Sequence, residues 1–228
     1  MTRNKFLSAV CFFAIIETAV LFTGCLSGPK ILTEFRESRP RSILVMPPLN
    51  NSVDVDAPMV FLAASTKPLA ESGYYVIPVA VSQEMFKQNG ILTAADANEI
   101  SYSRLNEIFG ADCALYITIK RFGAVFQLLW SVVQAEADAN LVDLRTGQLL
   151  WSGNVFVEES PSTTTATTSG GFAAQLLLSI TTAVVDQVVN NLSNASYKVG
   201  FRAVESLLDA GNPKGILYGP YHPEYETD

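Results

Sequence analysis

The chain has 228 residues, 49% of them hydrophobic, and 15 Lys and Arg against 22 Asp and Glu give a formal net charge of −7. Without residues 1–24 those counts are 13 and 21, so the remaining 204 residues, enough for one domain of ordinary size, carry −8. This acidic balance, with cations scattered along the chain, argues against binding to nucleic acid or to anionic lipid head groups, both of which need a basic patch.

The first segment, residues 1–24, has the pattern of a lipoprotein signal peptide. Two cations, Arg3 and Lys5, precede an apolar run over residues 6–22, and Gly24-Cys25 follows the run. A basic start, an apolar middle and a small residue at the cut site are typical of a secretory signal. We expect cleavage between Gly24 and Cys25 and acylation of Cys25, including palmitate. Each buried methylene contributes about 0.8 kcal/mol, so several acyl chains would hold the protein on a membrane.

An uncleaved anchor helix is the alternative for this segment. Such a helix needs about 20 uninterrupted apolar residues, whereas Glu17 interrupts the run. Leu26, not aspartate, follows Cys25, and by the Gram-negative sorting convention this favours the outer membrane. The sequence therefore predicts a lipid-anchored outer-membrane protein on the periplasmic face.

Residues 25–41 lack apolar periodicity beyond the anchor and are expected to form a tether between the lipid and a globular domain over residues 42–215. The apolar run 43–46 ends at Pro47-Pro48 and predicts a buried strand. A loop over 50–56 should follow.

A helix is expected over residues 57–71, capped by Asp56, and Pro68 should bend or divide it. Residues 74–79 are rich in aromatic and β-branched side chains and predict a second strand. A strand, a helix and a strand in this order indicate a parallel crossover.

Short helices are predicted over residues 82–89, 93–99 and 101–109, before an apolar strand that contains Cys113. Cys113 has no partner for an internal disulfide once Cys25 is acylated. It is interpreted as a buried small hydrophobe and not as a reactive thiol, since no cationic or histidine neighbour can be inferred.

An antiparallel meander is predicted from about Phe122 to Phe156. Polar and apolar residues alternate over 134–141, which indicates one wet and one packed face. Residues 145–148, Arg-Thr-Gly-Gln, should form a hairpin turn, because the glycine can supply a positive φ.

The carboxyl-terminal part is expected to contain a low-complexity loop, two helices and a tail. The loop covers residues 160–171, and residues 172–192 form a heavily apolar helix with a narrow polar stripe. The apolar surface of this helix must be covered by the domain's own core, by another subunit or by lipid, and we favour these three in that order. A second helix covers 196–210, and residues 216–228 are an aromatic tail with little room for regular structure.

Two patterns in the sequence are candidates for a catalytic site. His222 is the single histidine, but the chain has no Gly-x-Ser-x-Gly nucleophile elbow. Glu136 and Asp138 share one strand face at a separation that a glycosidase pair could tolerate, yet alternating polar residues usually mark a solvent face. The sequence predicts no catalytic residue, no metal site and no cofactor.

Four segments together resemble a Gram-negative outer-membrane lipoprotein family of unknown function that includes a genome-derived meningococcal surface antigen. They are residues 43–50, 68–79, 86–90 and 219–225, and the Gly-Tyr-Tyr-Val-Ile-Pro-Val segment at 73–79 is fairly specific. The resemblance implies a single α/β domain similar to the amino-terminal domain of the Tol-system propeller protein, with no established activity. Members are often encoded beside a lipoprotein similar to the curli-secretion channel, which implies a shared envelope assembly.

The fold class predicted is mixed α/β (α+β): a single three-layer-like domain with a mixed sheet, a βαβ start, an antiparallel meander and carboxyl-terminal helices. The functional hypothesis is a non-enzymatic accessory or interaction module of an envelope assembly. Its expected partners are the bilayer, through acylated Cys25, other envelope lipoproteins and a second copy of the chain. The 172–192 helix and the aromatic tail are the contact candidates.

Two alternatives stay open at this point. A periplasmic carrier of a small apolar ligand would need a closed pocket between the helices and the sheet. A hydrolase would need His222 as its base, and is the less favoured of the two.

Overall fold

A helix opens the domain, strands and helices then alternate, and three long strands follow in succession. The computed structural model describes residues 31–126, 131–159 and 182–225. In chain order these residues form α1 (Ile31–Ser38), β1 (Ser42–Val45), β2 (Leu49–Asn50), α2 (Ala57–Glu71), β3 (Tyr75–Val76), α3 (Val79–Gln88), α4 (Ala94–Asn98), α5 (Tyr102–Phe109), β4 (Cys113–Phe126), β5 (Ser131–Asp143), β6 (Leu149–Glu159) and α6 (Thr182–Leu208).

The described strands form one mixed sheet in the order β3-β1-β4-β5-β6, with β2 paired to β4. β1 is parallel to both β3 and β4, and β2 is parallel to β4. The strands β4, β5 and β6 are antiparallel neighbours. The predicted crossover from β1 through α2 to β3 and the predicted meander are both confirmed.

Strand β1 lies inside the sheet and is buried on both faces, which explains its unbroken apolar run. Ile43 and Val45 belong to one core cluster, and Leu44 and Met46 belong to another. Helices therefore cover both faces here and give the predicted three layers. The helix residues in these clusters include Phe35, Phe61 and Val199 on the first face, and Phe86, Ala97 and Leu105 on the second.

The meander has one packed and one polar face, as predicted. Ala135, Ala137 and Ala139 are buried against the first core cluster, while Asn140 on the other face is exposed. Gly147 in the β5–β6 turn has φ +74° and donates its N–H to the carbonyl of Asp143 at 2.8 Å. The glycine thus supplies the conformation that the turn requires.

Helix α1 corrects the expected tether over residues 25–41, since from Ile31 onward the chain is part of the domain. Phe35 is 4% exposed and packs in the first core cluster. The Ser38 hydroxyl donates to Asp143 Oδ2 at 2.5 Å. An eight-residue helix is marginal alone, so contacts with distant parts of the chain stabilise it, and these are invisible in the local pattern.

Helix α2 runs through Pro68 to Glu71, so the expected division at this proline is wrong. A proline removes one backbone donor and disfavours the preceding helical turn. Here Phe61 and Leu69 are fully buried on either side of it, and Pro68 itself is buried. Burial of the helix face outweighs one missing hydrogen bond.

The strand predicted over residues 74–79 is shorter than expected. β3 has two residues, and α3 begins at Val79, three residues before the predicted start. Pro78 has no N–H for a strand ladder, and its carbonyl instead accepts the N–H of Val81 and of Ser82. The proline therefore begins the helix.

Helix α6 is continuous from Thr182 to Leu208, so the predicted break between residues 192 and 196 is wrong. Gly200 lies inside it, where an added Cβ would lie 2.8 Å from the side chains of Phe122 and Val60. The missing side chain lets α6 approach α2 and β4. The predictions for residues 160–181 lie outside the described residues. None of the described helices is long and apolar enough to cross a membrane.

The tail has no helix or strand over its described residues, 216–225, as expected, but it packs on the domain. Ile216 is 1% exposed and belongs to the first core cluster. The N–H of Gly219 donates to Ser72 at 2.7 Å, and that of Tyr221 donates to Gly73 at 3.1 Å. The tail is therefore a strap across the end of α2.

Candidate functional site

The predicted processing site, Gly24 and Cys25, lies outside the described residues. Cleavage and lipidation at this position stay predictions.

Cys113 lies in the sheet core and is fully buried. Its Sγ donates to the carbonyl of Ser42 at 3.3 Å. Burial, with a further contribution from the charge of Asp112, raises the pKa of the thiol well above its ordinary value. The thiolate is the nucleophilic form, so this environment is unsuited to a reactive cysteine.

Glu136 and Asp138 are engaged in ion pairs on the polar face of the meander. The register shifts between Ile119 and Arg121, and this bulge places two successive cations beside the two carboxylates. Lys120 Nζ lies 2.6 Å from Asp138 Oδ2, and Arg121 Nε lies 3.2 Å from Glu136 Oε2. The pair is thus a salt-bridged surface group, without the apolar surroundings that an acid catalyst needs.

His222 stacks on Tyr218, with ring centroids 4.1 Å apart and an interplanar angle of 13°. Its Nδ1 accepts the backbone N–H of Glu224 at 3.1 Å. These contacts brace the tail strap. Within the described residues no group of three or more His, Cys, Asp or Glu side chains could hold a metal ion.

The parallel strands create a crevice at the carboxyl end of β1. One connection leaves through α2, on the first face of the sheet, and returns at β3 on one side of β1. The next connection runs through α3, α4 and α5, on the opposite face, and reaches β4 on the other side of β1. Open α/β sheets bind ligands at such a point, because the two connections diverge there.

A groove of about 570 Å³ lies at this point, and we call it the switch-point groove. It is bounded by Pro47-Pro48, by the start of α2 and by α3, and its rim includes Val55, Met59 and Leu92. These three side chains are 86%, 75% and 75% exposed, and the neighbouring Val53 is 97% exposed. Apolar side chains gathered at one concave surface are typical of a binding site.

The loop that carries Val53 and Val55 is braced by its own polar side chains. Asn50 Oδ1 accepts the N–H of Ser52 at 3.0 Å, and Asn50 Nδ2 donates to the carbonyl of Asp54 at 2.8 Å. The loop conformation is therefore fixed although its valines point to solvent. A preorganised apolar surface loses less conformational entropy when a partner binds.

Helix α4 also lines the groove, and side-chain hydrogen bonds hold it in place. Thr93 caps it by accepting the N–H of Asp96 at 3.1 Å. Asn98 donates to the carbonyl of Pro47 at 2.9 Å and joins the helix to the end of β1. The hydrogen bond thus fastens α4 to Pro47, two residues after β1 ends.

Gln83 on α3 lines the groove and has an unsatisfied amide. Its Nε2 is buried and has no hydrogen-bond partner among the described residues. A buried donor without a partner costs about 1–3 kcal/mol. A bound molecule that carries an acceptor could take this hydrogen bond once the half-buried Gln83 side chain turns into the groove.

Sequence reasoning did not find this groove. Its lining comes from two stretches of the chain, residues 47–62 and 80–97, and each stretch alone has the pattern of an ordinary loop or helix face. The sequence does contain one indication of the groove, the pair Val53 and Val55. These apolar residues alternate with aspartates in a predicted loop, where no core is available to bury them.

Comparison with known proteins gives the family. The family model described as "Putative lipoprotein GNA1162-like" matches residues 32–221. The protein named "Putative lipoprotein NMB1124/NMB1162" from Neisseria meningitidis serogroup B (strain ATCC BAA-335 / MC58) is 44% identical over 188 residues, covering 82% of this chain and 84% of that one. The crystal structure of lipoprotein GNA1162 from Neisseria meningitidis, 44% identical, matches with a TM-score of 0.52 and covers 66% of this chain and 99% of that chain. The predicted resemblance and mixed α/β fold are confirmed, and the chain belongs to the GNA1162-like family of lipoproteins.

Proposed function

We propose that this lipoprotein is anchored in the outer membrane, faces the periplasm and acts as a non-enzymatic docking module of an envelope assembly. The observation that carries the proposal is the switch-point groove, where Val55, Met59 and Leu92 are largely exposed on braced elements. Solvated apolar side chains are costly, so a partner that covers them gains free energy. A lipoprotein similar to the curli-secretion channel is a candidate partner.

The three chemistry-bearing candidates support docking over catalysis. Within the described residues they are a buried thiol, a salt-bridged carboxylate pair and a stacked histidine. None of them lines the groove. The family description also names no enzymatic activity.

The position of α1 supports a short link to the membrane. If the acylated residue is Cys25, six residues from Cys25 to Lys30 precede the helix. Fully extended, such a segment spans at most about 20 Å. The domain would then stay close to the bilayer, which favours partners that are themselves anchored in the envelope.

A carrier of a small apolar ligand is the second candidate, and the volume of the groove favours it. About 570 Å³ lies within the range of small-molecule sites. The carrier hypothesis expected a closed pocket between helices and sheet, whereas this groove has strongly exposed residues at its rim. Extraction of the purified protein followed by mass spectrometry distinguishes the two, because a carrier retains a stoichiometric apolar molecule.

Affinity capture from native envelopes tests the docking proposal. Lipidated wild type should recover a reproducible envelope protein, and Met59→Ser should lower the recovery about tenfold, as expected for a residue central to an interface. Phe201→Ser is the matched control, since Phe201 is 48% exposed on α6 and does not line the groove. No reproducible partner, or equal loss with both variants, would contradict the proposal.

A further inference from the structure

We infer that the switch-point groove binds an apolar peptide segment flanked by lysine or arginine, supplied by a partner protein of the envelope. This inference rests on the proposed docking function and specifies the chemistry of the partner. It follows from three properties of the groove: its apolar rim, the charges on the segments that border it and the buried amide of Gln83.

The apolar rim requires apolar side chains on the partner. Val55 and Met59 stand on one wall of the groove, and Leu92 stands on the α3–α4 loop. Pro47 and Pro48 lie at its inner end and cannot donate backbone hydrogen bonds. A groove of this kind gains binding energy mainly from burial of apolar area.

The excess of acidic residues on the segments that border the groove favours a partner with cationic side chains. Between Pro47 and Leu62, and between Val79 and Ala97, the charged residues are Asp54, Asp56, Glu84, Asp96 and the single base Lys87. Glu84 and Lys87 line the groove and offset each other, so the formal net charge of −3 comes from the three aspartates, which are chain neighbours of the lining residues Val55 and Ala97. Complementary charge raises the association rate and selects among apolar partners.

The amide of Gln83 favours a peptide over a purely hydrocarbon ligand. Its buried Nε2 has no acceptor among the described residues. A peptide backbone supplies carbonyl oxygens along its whole length, so one of them can accept this hydrogen bond once the Gln83 side chain turns into the groove. An acyl chain supplies none, and the acid-rich border repels anionic head groups.

The same charges disfavour a second copy of this chain as the occupant. Each copy without residues 1–24 carries −8, so an acidic groove would face an acidic partner. Like charges brought together at an interface cost free energy. A partner of opposite charge is the better match.

Peptide display tests this inference with a defined probe. A random library of peptides of about twelve residues, long enough to cross a groove in extended form, is selected on the immobilised domain at low salt. The enriched peptides should combine apolar residues with flanking Lys or Arg. Their affinity should fall about tenfold for Met59→Ser and for the double variant Glu84→Lys with Asp96→Lys, and it should fall as salt is raised.

Two further variants, one of them a control, show whether the loss of peptide affinity arises at the groove. Glu158→Lys reverses one exposed charge on β6, at the opposite edge of the sheet, and should leave the affinity unchanged. Gln83→Met keeps the length of the side chain, removes its donor and should weaken peptide binding. Neither variant removes a core residue.

Several outcomes would overturn the inference: no enrichment, enrichment without excess Lys or Arg, self-association as the only signal, or insensitivity to both groove variants. If envelope capture still depends on Met59 in those cases, the docking function stands and only the chemistry of the partner is wrong. If capture also fails, the docking function itself is wrong.

Discussion

Asn98 donates its side-chain amide to the carbonyl oxygen of Pro47 at 2.9 Å, across 51 positions of the chain. This hydrogen bond joins α4 to the segment that follows the central strand β1, and both Pro47 and α4 line the switch-point groove. The same amide also donates to Ala94 at 2.7 Å, so the residue orders its own helix as well.

Asn98→Ala should therefore lower the affinity for peptide, while it lowers the unfolding free energy no more than the loss of a comparable hydrogen bond elsewhere. Loss of one amide hydrogen bond costs about 1 kcal/mol of unfolding free energy. Asn106→Ala is the matched control, because Asn106 Nδ2 donates to the Ala111 carbonyl at 2.8 Å and does not line the groove. Urea unfolding should give similar losses for both variants, and peptide affinity should fall only for Asn98→Ala. An equal effect on affinity would argue against a specific role of Asn98.

The tail strap should depend on the lack of a side chain at Gly73. This residue has φ +88°, and an added Cβ would lie 2.4 Å from His222 N and 2.9 Å from Gly219 O. Gly90 has φ +78° and would meet nothing within 4 Å. Gly90→Ala should cost about 1 kcal/mol through its backbone conformation alone, whereas Gly73→Ala should cost about 2–5 kcal/mol through backbone and overlap together. Urea unfolding of both variants measures the difference; equal costs would mean that the strap does not pack as described.

Acid should destabilise the domain through Asp143, which is 2% exposed. Burial alone would raise the pKa of this carboxyl, but hydrogen bonds from Ser38, Arg145 and Thr146 outweigh burial and hold its pKa below the ordinary value. A pKa that is lower in the folded chain stabilises the fold above the unfolded value of about 3.9, and this stabilisation is lost as the pH falls through the folded value.

Asp143→Asn should consequently lower the unfolding free energy at neutral pH and flatten its decline below about pH 4. Denaturant unfolding at several pH values measures this slope. Glu158→Gln, an exposed carboxylate on β6, should keep the wild-type slope. If Asp143→Asn keeps that slope too, the network that fastens α1 to the β5–β6 turn does not favour the charged form of this carboxyl in the folded state.

The membrane anchor should depend on one thiol. Radiolabelled palmitate should enter the wild-type protein in cells, and it should fail to enter Cys25→Ala. The variant should also leave the membrane fraction, because the sequence beyond the signal offers no basic patch to hold it there. Equal labelling of both proteins would place the acyl group elsewhere and would contradict anchoring through Cys25.

Local patterns were sufficient where the local environment decides the structure. The apolar run at β1, the alternation over residues 134–141 and the glycine of the 145–148 turn each predicted an element that the structure confirms. Gly110 also ends α5 in the left-handed conformation, with φ +64°. In these cases the backbone requirement and the burial pattern agree over a few neighbouring residues.

Local patterns failed where distant contacts decide. Helix α1 depends on Phe35 reaching the core and on Ser38 reaching Asp143, across 105 positions. Helix α6 continues past Leu192 because its later turns pack against the sheet, with Val204 fully buried. The groove arises only when the end of β1, the start of α2 and the α3–α4 loop come together, which no single segment encodes.

Site-specific photocrosslinking in living cells shows directly whether the switch-point groove contacts a partner protein. A photoreactive side chain replaces Leu92 at the groove or, as the control, Phe201 on α6, in the full-length lipidated protein. We expect a discrete adduct with an envelope protein from position 92 only. The adduct should map to an apolar segment that contains Lys or Arg and should be lost in the Glu84→Lys background. The absence of an adduct from position 92, or the same adducts from both positions, would contradict a docking role for the groove.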